Sequence, residues 1–285
     1  MPPSRAAGMA LIAVLWIVAA LSIMVTGLMY TVRQQIQVGS VVRDQASGQA
    51  IAEGAFALVL QDWLARNQHP AAVGSAQVPY GGVEVQVDAA PLDGWISLNG
   101  ADEPLLTALL SVAGGLDSGP AQTLAARLTE WRDGHQDGDP TAANGVDARP
   151  RRFEAVEDLL LVPGVDYTLY ARIAPLVSVD LPGGQVNPQA APAPVLAVLA
   201  QGNMARVQQF LAQRGSGPGA DTSVFDSAFL GASGMDLYRL QARVPLEAGK
   251  MLVLTRDVAL GSMYSRTAPW RVLRTDRRIA SAENN

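Results

Sequence analysis

No cysteine occurs in the 285 residues. That excludes a disulfide framework, a thiolate metal site and a cysteine nucleophile. Histidine is nearly absent too: His69 and His135 alone are too few for a multi-histidine metal centre. Charge is thin. Asp, Glu, Lys and Arg make up 16% of the chain, against roughly 25% in ordinary soluble domains. What charge exists is acidic on balance, −5 at pH 7, with a pI near 5.1. Such a chain gains little from phosphates, so nucleic acid is not an expected partner. No P-loop, dinucleotide fingerprint or nucleophile elbow is present, and no catalytic constellation emerges, so the chain is not expected to be an enzyme.

One further absence is local. From Met9 to Val32 no residue is charged. About 20 apolar residues span a bilayer core, so the run is long enough to cross. A cleavable secretory signal has an apolar stretch of only about 7–15 residues and a small-x-small cut site. Here the run continues through Ile17, Leu21, Val25 and Leu28 without one. This predicts a single-pass anchor over 9–32, with the short leader in the cytoplasm and the remaining chain outside. Arg33 to Asn67 contains no proline and continues at helical spacing, with Ala46, Ala50, Ala57 and Leu64 recurring. Ala50, Phe56, Leu60 and Trp63 are expected to pack an amphipathic stalk, 33–69, onto a globular body. His69-Pro70 ends it, because proline disfavours the helical conformation in the residue before it.

The body reads as strands flanking helices. Gly81 to Asp88 alternates apolar and polar residues and reads as a strand. Trp95 to Gly100 reads as its hairpin partner, with Pro91-Leu92-Asp93-Gly94 as the loop. Leu237 to Val244, Lys250 to Arg256 and Trp270 to Arg274 are three more strands, the first two joined by a turn at Glu247-Ala248-Gly249. Between the two strand groups, helices are expected at Pro104–Val112, Ala121–Trp131, Arg152–Leu161, Tyr167–Leu176, Pro194–Leu199 and Met204–Arg214. Gly215 to Gly219 reads as a flexible exit loop. The expected fold is α+β: a long N-terminal helix on an antiparallel sheet (73–100 and 221–275), an inserted α-helical domain (101–220), and a C-terminal tail (276–285).

This order of elements, with Gly8-Met9 at the head of the apolar run and Met-Ala-Leu-Ile-Ala-Val-Leu-Trp after it, resembles type IV pilins and type II secretion pseudopilins, and within them the K-type minor pseudopilin. The resemblance implies a leader, 1–8, removed after Gly8 by a prepilin peptidase, and methylation of the new N-terminus at Met9. Most pilins carry Glu at the fifth mature position, which is thought to pair with a neighbour's N-terminal amine. Here that position is Ala13. A carboxylate in lipid is costly unless paired, so a subunit with no neighbour above it does not need one. The resemblance thus implies a tip subunit that initiates assembly of the pseudopilus and aids export of folded proteins. It places the body in the periplasm of a Gram-negative bacterium, anchored in the inner membrane. The implied partners are the I- and J-type minor pseudopilins, the major pseudopilin, and secreted substrates or the outer-membrane secretin. The other reading is a membrane-anchored periplasmic binding or sensor protein, which uses the anchor alone.

Four short segments remain. Leu159 to Asp166 looks like a helix-hairpin-helix turn, but Asp166 stands where such a turn usually has glycine and would repel phosphate, so it reads as a packing device. Leu98-Asn99-Gly100-Ala101 and Asn187-Pro188-Gln189-Ala190 look like a recurring family segment, and a helix N-cap accounts for either asparagine. Finally, Asp133, Asp137 and Asp139 fall within seven residues, followed by Asp147, with Gly134 and Gly138 letting the loop fold back. Hard cations take such carboxylates. The family's insertion binds calcium in a similar segment, so the resemblance implies calcium here; a solvated acidic turn is the other reading.

Overall fold

In a computed structural model of the chain, residues 6–134, 152–216, 219–231, 234–261 and 268–281 are described. Helix α1 runs unbroken over Ala6–Arg66, 61 residues, which at 1.5 Å per residue is about 90 Å. Between residues 6 and 40 its side chains are described only for 14–22 and 24. Among the described residues no helix is long and apolar enough to cross a membrane, so the expected membrane half, 9–32, is represented by helical backbone and those few side chains. The helix ends where Asn67 takes a left-handed φ of 50° and Gln68 N donates back to Trp63 O at 3.1 Å.

Five antiparallel strands follow: β1 (Gly74–Tyr80), β2 (Val83–Pro91), β5 (Leu237–Pro245), β6 (Lys250–Leu260) and β7 (Trp270–Ser281), in the order β1-β2-β5-β6-β7. Gly81 and Gly82, both at positive φ, turn β1 into β2. The expected hairpin between 81–88 and 95–100 is therefore not formed: β2 pairs with β1 on one side and β5 on the other. Ile96–Ser97 forms β3, which pairs in parallel with Val177–Ser178, β4. Leu92–Gly94 is a 3-10 turn rather than a hairpin loop. The last strand also runs further than expected, to Ser281, so residues 276–281 are sheet and not tail.

Alternate residues of the sheet face α1. Leu240, Ala242, Val244, Leu252, Leu254, Val85 and Val87 close over Ala52, Ala55, Phe56, Val59 and Leu60. Phe56 and Leu60 pack as expected and Trp63 joins them at the edge, but Ala50 is exposed and Ala52 and Ala55 take the contact instead. The helix meets the sheet on the i, i+3, i+4, i+7 stripe through Ala52, and Ala50 lies off it.

The insertion has its own core. It holds α2 (Glu103–Val112), α3 (Ser118–Asp133), α4 (Tyr167–Ile173), α5 (Ala193–Leu199) and α6 (Met204–Ser216). Leu105, Leu109, Leu110, Leu128, Leu196 and Phe210 are fully buried in it. Asp102 and Asp166 start two helices, accepting from Leu105 N at 3.1 Å and Leu169 N at 2.7 Å. The segment expected to be helical from Arg152 forms only a 3-10 stretch, Val156–Leu161. The exit loop at 215–219 is described only at its ends.

Phe56 is 1% exposed and joins α1 to the sheet. Phe56→Ala is expected to cost about 3–5 kcal/mol, read by urea denaturation of the full-length protein in detergent.

Candidate functional site

The insertion leaves the sheet after Pro91 and returns at Leu237, beside Tyr238, the cross-strand partner of Pro91. Two asparagines brace this neck, and neither caps a helix. Asn99 Nδ2 donates to Phe153 O and Val179 O, both at 2.9 Å, and its Oδ1 accepts from Phe153 N at 2.9 Å. One amide thus ties three segments that are 54 and 80 residues apart in the chain. Asn187 N donates to Asp93 O at 2.8 Å, and its Oδ1 accepts from Gln189 N at 3.0 Å. That loop lies so close to the 3-10 turn that a Cβ on Gly94 would sit 2.4 Å from the Ala190 backbone. The two similar segments picked out in the sequence are therefore paired clamps on the neck.

Beside the neck, the face of the sheet turned away from α1 is covered by the insertion, leaving a cleft of about 510 Å³. The sheet wall carries Asp88, Arg239, Gln241, Asp257, Arg274 and Arg278; the insertion wall carries Glu157, Tyr170, Pro175, Pro192 and Arg214. At its floor Arg239 donates twice to Asp257, Nε to Oδ1 and Nη2 to Oδ2, both at 2.7 Å. Asp257 is 1% exposed. The Arg239 guanidinium also lies over the Trp95 ring, 4.5 Å from its centroid, and Trp95 Nε1 donates to Pro175 O at 3.1 Å. Sheet, neck and insertion are thus joined through one cation.

The rim adds a second tie. Arg274 Nη2 donates to Glu157 Oε1 at 2.8 Å, and Tyr170 OH donates to the same oxygen at 3.3 Å. Burial, and then the Glu157 charge, raise the Tyr170 hydroxyl above its usual range. Along the sheet, Arg243 pairs with Asp88 and its Nη2 donates to Gln241 Oε1 at 2.8 Å. Arg214 donates to Ala191 O at 2.6 Å and Pro188 O at 3.1 Å, and burial lowers its pKa. Asp180 is the exception to this balance: burial, then the Asp257 charge, raise its carboxyl, with Arg274 and Arg239 opposing.

The residues expected to carry function lie elsewhere. Gly8, Met9 and Ala13 fall in α1, where only the backbone is described. Asp137, Asp139 and Asp147 lie outside the described residues, as does His135. Asp133 ends α3, and Arg132 donates to it from Nε at 2.8 Å and Nη2 at 3.0 Å, lowering its pKa. Arg132 Nη1 also donates to Ala101 O at 2.7 Å, which docks this end of α3 on the neck. Among the described residues no group of three carboxylates, histidines or cysteines converges. The Leu159–Asp166 turn packs as expected: Val162 and Val165 are buried and Asp166 caps α4. Sequence reasoning missed Arg239, Asp257 and Trp95. Arg239 alternates along β5 as on a solvent-facing sheet surface, and nothing local says that the insertion will cover it.

Residues 96–182, from β3 through α4 and β4, match the family model described as type II secretion system (T2SS), protein K. No curated protein matches the chain significantly.

A raised Asp180 pKa opposes folding. The cost is absent at low pH, grows as pH rises above the unfolded carboxyl value, about 4, and is complete above the raised folded value. Asp180→Asn is therefore expected to stabilise the protein at pH 7, with the gain fading as pH falls towards 4. Thermal melts of both proteins across that range check it.

Proposed function

Because residues 96–182 match the family model described as type II secretion system (T2SS), protein K, we propose that this chain belongs to that family, a part of a cell-envelope machine for protein export, and is the minor pseudopilin at the tip of the pseudopilus. The observation that carries the reading is the order of parts: the matched domain is inserted between β2 and β5 of an antiparallel sheet that packs on the end of a 61-residue helix. The exposed apolar side chains of that helix fit an anchor. Trp16 is 72% and Met24 75% exposed, and Val14, Leu15, Ile17, Val18 and Leu21 surround them. Lipid or the helices of neighbouring subunits would cover such a collar.

In this role the prepilin peptidase cuts after Gly8 on the cytoplasmic side and Met9 becomes the methylated N-terminus. The apolar helix stays in the inner membrane as a single span until assembly draws it into a bundle with the I- and J-type minor pseudopilins and the major pseudopilin. Ala13 at the fifth mature position, in place of a carboxylate, suits a subunit with nothing above it. The helical insertion then crowns the filament on the periplasmic side, within reach of secreted substrates or the secretin. The work is mechanical and needs no catalytic group.

Asp133, Asp137, Asp139 and Asp147 would supply calcium with hard oxygen ligands, the donor type that ion prefers. Arg132 holds Asp133 at present, so calcium competes with a guanidinium there. Bound calcium would staple the loop to α3 and so to the neck.

Co-expression with a prepilin peptidase is expected to remove residues 1–8 and add a methyl group, read as intact mass. An unprocessed chain would instead leave the simple membrane-anchored sensor. For calcium, EDTA is expected to lower the melting temperature of the full-length protein, and excess calcium to restore it. A melt indifferent to both would leave the acidic loop a solvated turn.

A further inference from the structure

β7 forms one edge of the five-stranded sheet. It is 12 residues long, pairs with β6 on one side, and among the described residues no strand lies on its other side. The opposite edge, β1, is 7 residues, carries Pro79 and has no charged side chain. A long edge without proline leaves a row of backbone N–H and C=O groups free to accept another strand.

The side chains of β7 narrow what that strand is. They include Arg271, Arg274, Arg277 and Arg278 against the single acid Asp276, a positive strip on a chain whose net charge is −5. Arg274 is held by Glu157, and Arg277 Nη1 donates to Gln49 Oε1 at 3.1 Å. Arg271 and Arg278 make no salt bridge among the described residues and both are exposed. The cross-strand pairing places these two on the face turned from α1. On the α1 face Val272 and Ile279 are 41% and 43% exposed. The edge therefore presents basic groups on one face and uncovered apolar groups on the other.

We propose that β7 accepts, as a sixth strand, an extended acidic segment of a partner protein, with acidic side chains on the Arg271 and Arg278 face and apolar ones beside Val272 and Ile279. Opposite charges across a strand pair stabilise it and like charges oppose it. The same arginines therefore keep a second copy of β7 from pairing with the first. This pairing does not rest on the tip assignment, so it stands or fails apart from it.

The test uses full-length protein in detergent micelles and three fluorescein-labelled decapeptides: alternating Glu-Val, alternating Lys-Val, and a Glu-Glu-Pro-Pro repeat (Glu-Pro below), which keeps negative charge but puts proline on both edges of the strand and so cannot join a ladder. Glu-Val is expected to bind at least tenfold more tightly than either control, to weaken as salt rises, and to slow amide exchange across residues 270–281. The double variant Arg271→Glu/Arg278→Glu is expected to lose at least tenfold in affinity at an unchanged melting temperature. Arg278→Gln alone, at an exposed position, is expected to lose part of it. Equal binding of Glu-Pro would reduce the effect to charge adsorption and overturn the proposal. So would unchanged exchange in β7, unchanged affinity in both variants, or protection of β7 that appears with protein concentration and no peptide, which would assign the edge to a second copy.

Discussion

The Arg239 guanidinium, paired with Asp257 across β5 and β6 and covered by Trp95, is the point at which sheet, neck and insertion meet. Two charges removed from water are costly unless their geometry is good and every remaining group is satisfied. Here both hydrogen bonds are 2.7 Å long, and the second face of the guanidinium is covered by Trp95. Arg239 and Asp257 are cross-strand partners within the sheet, and the neck and insertion add the cover: Trp95 lies on the guanidinium and is held there by Pro175 O. An unseated insertion would withdraw the indole from Arg239 and bare Leu237 and Ala259 to water. Polar ties and apolar burial both set the domain orientation: beyond the two separate cores, Leu92 of the neck and Leu181 of the insertion close on Leu237 and Ala259 of the sheet.

Around this point the ties are arranged in a ring. Asn99 and Asn187 clamp the neck from the insertion side, Arg132 docks α3 against it, and Arg274–Glu157 closes the rim. Each is modest alone, since exposed pairs contribute roughly 0–1 kcal/mol. The asparagine and Arg132 ties hold the neck to the insertion, and of these four the Arg274–Glu157 pair is the one that crosses to the sheet. A stiff joint would carry load between the α1 stalk and whatever the insertion meets.

Much of this was legible in the chain. The helix from the apolar head to Arg66, the strands β5 and β6 and the helices α2, α3, α5 and α6 all followed from periodicity and punctuation. The pairing of β2 was not. Gly81-Gly82 is a two-residue turn of the kind that makes hairpins, yet β1 before it, with its lone buried Val78, gives little alternation to read. Trp95 to Gly100 carries a strand pattern, but only Ile96–Ser97 pairs, and with a strand 81 residues later. Such parallel contacts leave no local trace. The asparagines were noticed for their spacing and assigned to caps, the commonest local use. Their real partners are backbone groups brought near by the fold. The cleft residues were invisible for a related reason: an arginine on a sheet face reads as solvated until a second domain arrives over it.

The neck has one more consequence. Pro91 and Tyr238 are rungs of one ladder, so the chain leaves and re-enters the sheet at a single cross-strand pair. To the sheet, the whole insertion is an oversized hairpin loop between β2 and β5. Closing a loop grows costlier only slowly with length, about 0.6 kcal/mol for each doubling. The sheet and stalk are thus nearly indifferent to how much sequence hangs from that rung, provided it folds and returns. The insertion is free to change in size and surface while the sheet and stalk keep their register.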